Sequence, residues 1–324
     1  MDNLTHTLTG LLLSRAGFHR LSPRASWIAM LGANAPDVDV LAAAWGPATY
    51  LDYHRHFTHS LAAAPLIAAL PLLPFIRSAG WRDFLVSLAA VLSHVLMDFA
   101  NIYGIRVGWP FSDRWMRLDT TPVIDVWILL LYALALAAPA LSRLVSSEIG
   151  EARRNRATGT GWAAFALTLM LVYQGGRAVA HQRALAMVEP YSYDGEVPQT
   201  IAALPNPFSP LRWRALVRLS DHYRVLDVHL LFPLDPSSGD AFFMAEPGPW
   251  RDAAASTPSF QAFLRFNQFP LWQVTPAPDE GARVRLFDLR FGSPRAPGFV
   301  ATAVVDRGHR VRESSFSFGI PRIR

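Results

Sequence analysis

Apolar residues are concentrated in the first 180 residues of the chain, in stretches that are long enough to form helices. Residues 123–141 are apolar apart from Asp125, and residues 162–179 are mostly apolar, with Arg177 near the end. Each stretch approaches the roughly 20 residues that a helix needs to cross a bilayer. Shorter or weaker apolar stretches occupy residues 8–13, 27–40, 61–76 and 84–100. The pattern predicts four to six membrane segments and therefore an α-helical, multi-pass membrane domain.

The pattern changes near residue 181, where short alternating segments replace the long apolar runs. Alternating or β-rich segments occupy residues 211–219, 225–232, 283–291, 299–305 and 311–318, with Gly and Pro between several of them. Alternation that is bounded by turn residues indicates β-strands. We therefore predict a membrane-embedded domain over residues 1–145, a cytoplasmic loop and a last transmembrane helix over residues 146–180, and a small, mostly-β extracytoplasmic domain over residues 181–324.

Composition narrows the functional classes. Charged residues make up 17% of the chain, below the roughly 25% of soluble domains. The net charge of +5 is spread along the sequence, which argues against a nucleic-acid partner and leaves the bilayer as the expected environment. Because the chain has no cysteine, a metal site must use His, Asp, Glu or water.

Arginine placement predicts an orientation in the membrane. The arginines of three alternate connections are Arg15, Arg20, Arg24, Arg77, Arg82, Arg143, Arg153, Arg154 and Arg156. Cytoplasmic loops carry an excess of basic residues, so these three connections are predicted to be cytoplasmic and the others to face outward. Arg106, Arg114 and Arg117 fall on an outward connection and count against this orientation.

His94 and Asp98 are the most informative residues of the apolar part. Positions i and i+4 share a face of a helix, so both side chains point the same way from within the apolar stretch of residues 84–100. Burying two ionisable groups is costly unless a metal or a partner charge compensates. The pair therefore predicts a metal-binding face, and the alternative is a polar pair that joins two helices.

Further imidazoles and carboxylates recur upstream. Asp37 and Asp39 would repel each other when both are ionised, which favours a nearby cation, although a turn or helix cap is the alternative. The predicted metal ligands are His6, Asp37, Asp39, His54, His59, His94 and Asp98. Asp39, His54 and Arg55 are the predicted catalytic residues, with Arg55 able to pair with a phosphate through two hydrogen bonds.

Three polar residues near these motifs have no single predicted role. His56 lies within the histidine-rich segment of residues 54–60, where exposed loop histidines are the alternative to ligands. Asp119 and Asp125 flank Pro122 before the apolar stretch. Asp125 is either a site residue or an acidic residue at a helix N-terminus, a position that the helix dipole favours.

Several of these residues form motifs that, together, are similar to those of a known family. The motifs include Asn3–His6 with Gly10, Pro36–Asp39, His54–Arg55, Thr58–Ser60 and Ser93–Asp98. They resemble the YdjM family of LexA-regulated, inner-membrane, metal-dependent hydrolases over roughly residues 1–145. His56 departs from the family pattern, in which a small residue is common. The helix with the H-x-x-x-D spacing is also similar to that of zinc-dependent phospholipase C and P1 nuclease, which implies a helical bundle around a metal site.

The resemblance and the residues together predict a function. We expect a bacterial inner-membrane hydrolase whose site and C-terminal domain face the periplasm. It would cleave a phosphoester of a membrane lipid or lipid-linked substrate by metal-activated water. The expected cofactor is a divalent metal, Zn²⁺ before Mn²⁺, with one or two ions. The alternatives are a non-catalytic metal-binding or metal-transporting membrane protein and a structural envelope protein.

Overall fold

The computed structural model describes residues 1–148, 159–277 and 281–319. Within it the chain divides into two compact units. The first unit contains Met1–Val38, Arg55–His181 and Pro205–Pro210, and the second contains Asp39–His54, Gln182–Leu204 and the residues from Leu211 onward. One division falls after residue 181, where the sequence pattern changes. Residues 149–158 of the predicted cytoplasmic loop, with Arg153, Arg154 and Arg156, lie outside the described residues.

Helices dominate the described part of the chain before residue 189. They are α1 (Asn3–Ala16), α2 (Ala25–Gly32), α3 (Pro47–Tyr53), α4 (Ala64–Ile67), α5 (Trp81–Ala100), α6 (Val126–Glu148) and α7 (Thr160–Val188). Short 3₁₀ segments cover Phe18–Arg20, Ala35–Trp45, Phe57–His59 and Leu70–Phe75. Local sequence sets the starts of two helices. Asp2 caps α1 by accepting a hydrogen bond from the Thr5 amide, and Asp83 accepts one from the Gly80 amide at the start of α5.

Small residues allow α1, α2 and α5 to pack closely in the first unit. A Cβ atom on Gly10 of α1 would lie 2.4 Å from the backbone oxygen of Ala29 in α2. A Cβ atom on Gly32 would lie 3.0 Å from the backbone oxygen of Ser87 in α5. The buried side chains of this contact include Ile28. Glycine at these positions therefore brings together the helices that surround the candidate site.

Two helices of the described residues, α5 and α7, are long and apolar enough to cross a membrane, and a third span exists if the bent pair Pro47–His59 and Ala64–Phe75 is counted as one. This is fewer than the four to six segments predicted. The stretch of residues 61–76 is divided into α4 and a 3₁₀ segment because it contains three prolines. The apolar part of α6, Val126–Ser142, is about 25 Å long, short of the ~30 Å hydrocarbon core.

The second unit contains the strands. The first sheet has the order β1-β2-β3-β4, with β1 (Thr200–Pro205), β2 (Arg212–Arg218), β3 (His222–His229) and β4 (Asp240–Phe243). Strands β2 and β3 are antiparallel, with Leu216 opposite Val225. The predicted segment of residues 211–219 matches β2 closely, whereas β3 begins three residues before the predicted segment at residue 225.

A second sheet and two helices complete this unit. The helices are α8 (Pro249–Ala255) and α9 (Pro258–Phe266), and the strands are β5 (Pro270–Pro276), β6 (Ala282–Asp288), β7 (Gly292–Ser293), β8 (Ala296–Pro297), β9 (Phe299–Val305) and β10 (Val311–Phe318). The sheet order is β10-β9-β6-β5. Phe260, Phe263 and Phe266 of α9 are buried. The C-terminal part is therefore mostly β, as predicted, but it includes two helices that the alternation did not predict.

Candidate metal centre

Four ligand atoms of the kinds that bind metal ions converge in the first unit. They belong to Asp37, His59, His94 and Asp98, and all lie within 4.8 Å of one another. His94 and Asp98 are on α5, while Asp37 and His59 are on two short 3₁₀ segments. The side chains of His59, His94 and Asp98 are fully buried, and that of Asp37 is 11% exposed. The structure thus contains a buried His/Asp cluster that could hold a metal ion.

The distances within this cluster suit a tetrahedral metal ion. The His59 and His94 Nε2 atoms are 3.0 Å apart, and each lies 3.4 Å from Asp98 Oδ2. Asp37 Oδ1 lies 3.5 Å from His59 Nε2 and 3.7 Å from His94 Nε2. Ligand atoms that are ~2.0–2.2 Å from a tetrahedral zinc ion are ~3.3–3.6 Å from one another. Three of the five separations lie in that range and the other two, 3.0 and 3.7 Å, are close to it, so the four side chains could hold a divalent metal ion.

Hydrogen bonds on the far side of each imidazole prepare it for a metal. His94 Nδ1 lies 2.7 Å from the carbonyl oxygen of Ala33. A carbonyl only accepts, so Nδ1 carries the proton and, in the neutral ring, Nε2 presents a lone pair to the cluster. His59 Nδ1 lies 3.0 Å from the Thr58 hydroxyl, which can accept the corresponding hydrogen bond. Two Nε2 lone pairs that face each other at 3.0 Å repel unless a proton or a cation lies between them.

Asp98 is the most heavily contacted carboxylate of the cluster. Its Oδ2 atom lies 3.1 Å from Arg55 Nε, and its Oδ1 atom accepts a hydrogen bond from Asn101 Nδ2 at 3.1 Å. Oδ1 also lies 3.3 Å from His6 Nε2 and contacts the amino nitrogen of Met1. These donors fix the orientation of the carboxylate, as residues around metal ligands commonly do.

Arg55 is held in one orientation by three partners. Its backbone is in the left-handed region, with φ of 60°. Nη1 donates to Asn101 Oδ1 at 3.1 Å, Nε faces Asp98, and the guanidinium lies 4.4 Å from the centre of the Tyr103 ring. The structure therefore places this predicted phosphate-binding residue against the carboxylate of Asp98, a predicted ligand. Its catalytic role stays a prediction.

His6 lies beside the four clustered side chains. Its ring stacks on His94 with a centroid distance of 3.7 Å, and Nε2 points to Asp98 Oδ1. Burial, and then the neighbouring His94, lower the pKa of His6 well below its usual value. The ring is therefore neutral and orders the carboxylate of Asp98 by contact. Its role as a direct ligand stays a prediction.

Asp39 and His54 are brought together in the second unit. His54 Nδ1 lies 2.8 Å from Asp39 Oδ1, and the His54 ring stacks on Tyr50 at 4.5 Å. Both side chains are largely buried. A carboxylate that accepts from one ring nitrogen orients the imidazole and fixes its tautomer. The pair therefore has the form of an oriented histidine, which is compatible with the predicted ligand and catalytic roles.

The residues without a single predicted role have defined partners. His56 Nε2 lies 3.3 Å from Asp113 Oδ1, and the Asp113 side chain is 74% exposed, so this pair is near the surface. Asp119 pairs with Arg117. Asp125 Oδ1 accepts hydrogen bonds from the backbone amides of residues 127 and 128 at the start of α6. Of the two roles predicted for Asp125, the structure therefore supports that of an acidic residue at a helix N-terminus.

Sequence reasoning missed three groups that support the cluster, namely Asn101, Thr58 and the Ala33 carbonyl. Asn101 follows Asp98 by three residues at the end of α5, so its i, i+3 spacing was a usable signal. Thr58 belongs to the Thr58–Ser60 motif, but nothing in the sequence shows that its hydroxyl contacts His59 Nδ1. A backbone carbonyl such as that of Ala33 leaves no mark in a sequence, because every residue has one.

Comparisons with known proteins identify the family to which the chain is similar. The model of the YdjM inner membrane protein family matches residues 1–184, more than half of the chain. The YfhP C-terminal alpha/beta plait domain matches residues 249–319, the region of α8, α9 and the second sheet. The uncharacterized protein YfhP of Bacillus subtilis (strain 168) is 28% identical over 322 residues, covering 93% of this chain and 90% of that protein.

No solved structure matches the chain. The family match covers α1 to α6, most of α7 and every residue of the His/Asp cluster, and its description is that of an inner membrane protein. This agrees with the two candidate spans in the described residues. It also confirms the resemblance to the YdjM family that the sequence motifs indicate. The LexA regulation and the similarity to zinc-dependent phospholipase C and P1 nuclease stay predictions. The chain therefore belongs to the YdjM inner membrane protein family.

Proposed function

We propose that this protein is a membrane-bound, metal-dependent hydrolase that cleaves a phosphoester of a lipid or lipid-linked substrate. The observation that carries the proposal is the convergence of Asp37, His59, His94 and Asp98 at separations that suit one divalent ion. Structural zinc sites are usually built with cysteine thiolates, whereas hydrolytic sites commonly use His and acidic residues. A donor set of two imidazoles and two carboxylates therefore supports a hydrolytic ion, with Zn²⁺ as the first candidate and Mn²⁺ as the second.

The chain's own residues have separable tasks at such a site. A bound divalent ion acidifies water and offsets negative charge on phosphate oxygens. His94, oriented by the Ala33 carbonyl, presents its Nε2 lone pair. Arg55 and Asn101 hold the carboxylate of Asp98 in one orientation. Asp37 is the only one of these four side chains that is partly exposed, so substrate approaches from its side.

The position of the cluster along α5 supports a substrate at the membrane surface. Asp98 is two residues, and His94 six residues, before the end of this candidate span at Ala100. At 1.5 Å per residue these positions are only ~3 Å and ~9 Å from the helix end. A site at the end of a span is accessible to a phosphoester in the headgroup layer. The arginine distribution supports a periplasmic face and a multi-pass arrangement.

The test is turnover by the purified full-length protein in detergent or nanodiscs. With Zn²⁺ or Mn²⁺ it should hydrolyse an artificial phosphodiester or release a phosphorylated headgroup from an envelope lipid. His94→Ala should abolish turnover, and His56→Gly should retain it because His56 pairs with an exposed carboxylate outside the cluster. Turnover that is equal in His94→Ala and in the unmodified chain would contradict the proposal.

A second candidate is a metal ion that stabilises the protein without catalysis. Three of the four side chains are fully buried, and closed four-coordinate sites are typical of structural metals. Full metal occupancy without turnover on phosphoesters, amides and esters, together with a lower unfolding temperature after chelation, would favour this function over hydrolysis.

A further inference from the structure

The connection between α5 and α6, residues 101–125, carries an ordered turn with an exposed aromatic side chain. The amides of Phe111 and Ser112 both donate to the carbonyl oxygen of Gly108, at 3.0 and 3.1 Å. These two hydrogen bonds fix the turn of residues 108–112, which is called the interfacial turn below. At its tip, Phe111 is 92% exposed. The turn therefore presents a phenyl ring to the surroundings in a defined conformation.

The interfacial turn is joined to the chain segment that carries a cluster histidine. The Arg106 amide donates to the Arg55 carbonyl at 3.1 Å, and the Leu61 amide donates to the Val107 carbonyl at 3.2 Å. The Trp109 ring lies 6.0 Å from the Phe57 ring. Because these contacts lie on both sides of the His59 segment, the position of the turn and that of the histidine are coupled.

The chemistry around the turn is that of a membrane–water interface. Three aromatic residues, Trp109, Phe111 and Trp115, are interleaved with Arg106, Arg114 and Arg117. Aromatic side chains are enriched at the headgroup level of membrane proteins, and arginines there attract anionic lipids. Arg114 is exposed, so its charge is available to a lipid phosphate.

The exposed phenyl ring is not an isolated apolar residue on a polar surface. Met116 and Leu118, in the same connection, are 42% and 44% exposed. The connection also begins directly after α5, a candidate membrane span, and ends at α6, an apolar helix. If α5 spans the membrane, the residues of the connection lie near the level where the span leaves the hydrocarbon core.

We propose that the interfacial turn is a lipid anchor, in which Phe111 lies in the headgroup layer and Arg114 binds the phosphate of an anionic lipid. The anchor holds the His59 segment at the membrane surface. This role also accounts for Arg114 on an outward connection, whereas Arg106 is buried and pairs with Asp113, and Arg117 pairs with Asp119. The proposal concerns lipid contact and does not depend on hydrolysis.

The absence of cysteine from the chain makes a direct test practical. The full-length variant Ser112→Cys is labelled with a nitroxide and reconstituted in bilayers of phosphatidylcholine with phosphatidylglycerol. The label should be several-fold more accessible to oxygen, which partitions into lipid, than to a water-soluble nickel complex. A matched label at Ser237→Cys, on an exposed loop of the second unit, gives an aqueous reference. Adding Phe111→Asp should make the label at residue 112 more accessible to the nickel complex and less accessible to oxygen.

Two results would overturn the proposal. One is equal accessibility of the residue 112 label to both reagents, unchanged by Phe111→Asp. The other is dipolar broadening between labels that disappears on dilution with unlabelled protein, which would assign the turn to a contact between copies of the chain. Arg114→Gln should weaken the preference of the residue 112 label for oxygen only in bilayers that contain phosphatidylglycerol. An equal effect in pure phosphatidylcholine would contradict the arginine's assigned role.

Discussion

The buried ion pair of Arg55 and Asp98 gives a prediction whose size can be worked out from the structure. The two charges are 3.1 Å apart, and their side chains are 4% and 0% exposed. At an effective dielectric constant of about 20, the gross attraction is about 5 kcal/mol. Removing one partner of a buried pair leaves the other uncompensated and costs about 3–5 kcal/mol. We therefore expect Arg55→Gln to destabilise the metal-free protein by this amount.

A double-mutant cycle separates this pair from general damage to the fold. Asp98→Asn alone should cost a similar amount, and the double variant should be about 0.5–3 kcal/mol more stable than the sum of the two changes, because neither charge is then left alone. Arg24→Gln is the matched control. Its partner Asp83 is 4.0 Å away and Arg24 is 34% exposed, so its loss should cost at most about 1 kcal/mol.

The same variants report on metal binding. Because Arg55 fixes the orientation of Asp98, Arg55→Gln should weaken metal affinity by about 10–100-fold, whereas Arg24→Gln should leave it unchanged. Thermal unfolding in detergent with a chelator measures the stabilities, and competition with a chromophoric chelator measures the affinities. If Arg55→Gln resembled Arg24→Gln in both assays, the assigned coupling between the guanidinium and the carboxylate would be refuted.

Three further predictions concern the surrounding fold. Gly10→Ala should destabilise the protein by about 1–3 kcal/mol, because its Cβ atom would lie 2.4 Å from a backbone oxygen of α2. Gly17→Ala, with open space around it, should be tolerated, and thermal unfolding compares the two variants. Asp125→Ala should cost about 2–4 kcal/mol, because it removes the α6 cap and leaves the Tyr173 hydroxyl without the buried carboxylate to which it donates, and it should leave metal content unchanged in elemental analysis. Burial lowers the pKa of His222, but hydrogen bonds to Asp221 and Asp194 outweigh it and raise the pKa above the ordinary 6.5. The contribution of His222 to stability is therefore complete below about pH 6.5 and is lost as the pH rises through the raised value. His222→Gln should remove this pH dependence from thermal unfolding.

Local patterns in the sequence predicted more of the structure than its long-range contacts did. The i, i+4 spacing placed His94 and Asp98 on one face of a helix, and their ligand atoms lie 3.4 Å apart. The alternating segments of residues 299–305 and 311–318 coincide with β9 and β10. These features depend on the periods of the helix and the strand, which a sequence carries directly.

The remaining features depend on contacts between distant segments. Nothing in the spacing of Asp37 and His59 shows that their side chains meet those of α5. Nor does the sequence show that Asp39, two residues after Asp37, contacts His54 instead. The helix α9 was missed although Phe260, Phe263 and Phe266 recur at helical spacing, because the alternation on either side of it favoured strands. The stretch of residues 61–76 is apolar but short and contains three prolines, which make it a weak candidate in the sequence, and in the structure it is divided into α4 and a 3₁₀ segment.

The central claim is that the His/Asp cluster binds a metal ion, and elemental analysis of the purified full-length protein tests it most directly. We predict a stoichiometric divalent metal in the unmodified chain, its loss in His94→Ala and Asp98→Asn, and its retention in His56→Gly, whose ring pairs with an exposed carboxylate instead. A chain that contains no metal after growth with added zinc and manganese, or a His94→Ala variant with unchanged metal content, would contradict the account.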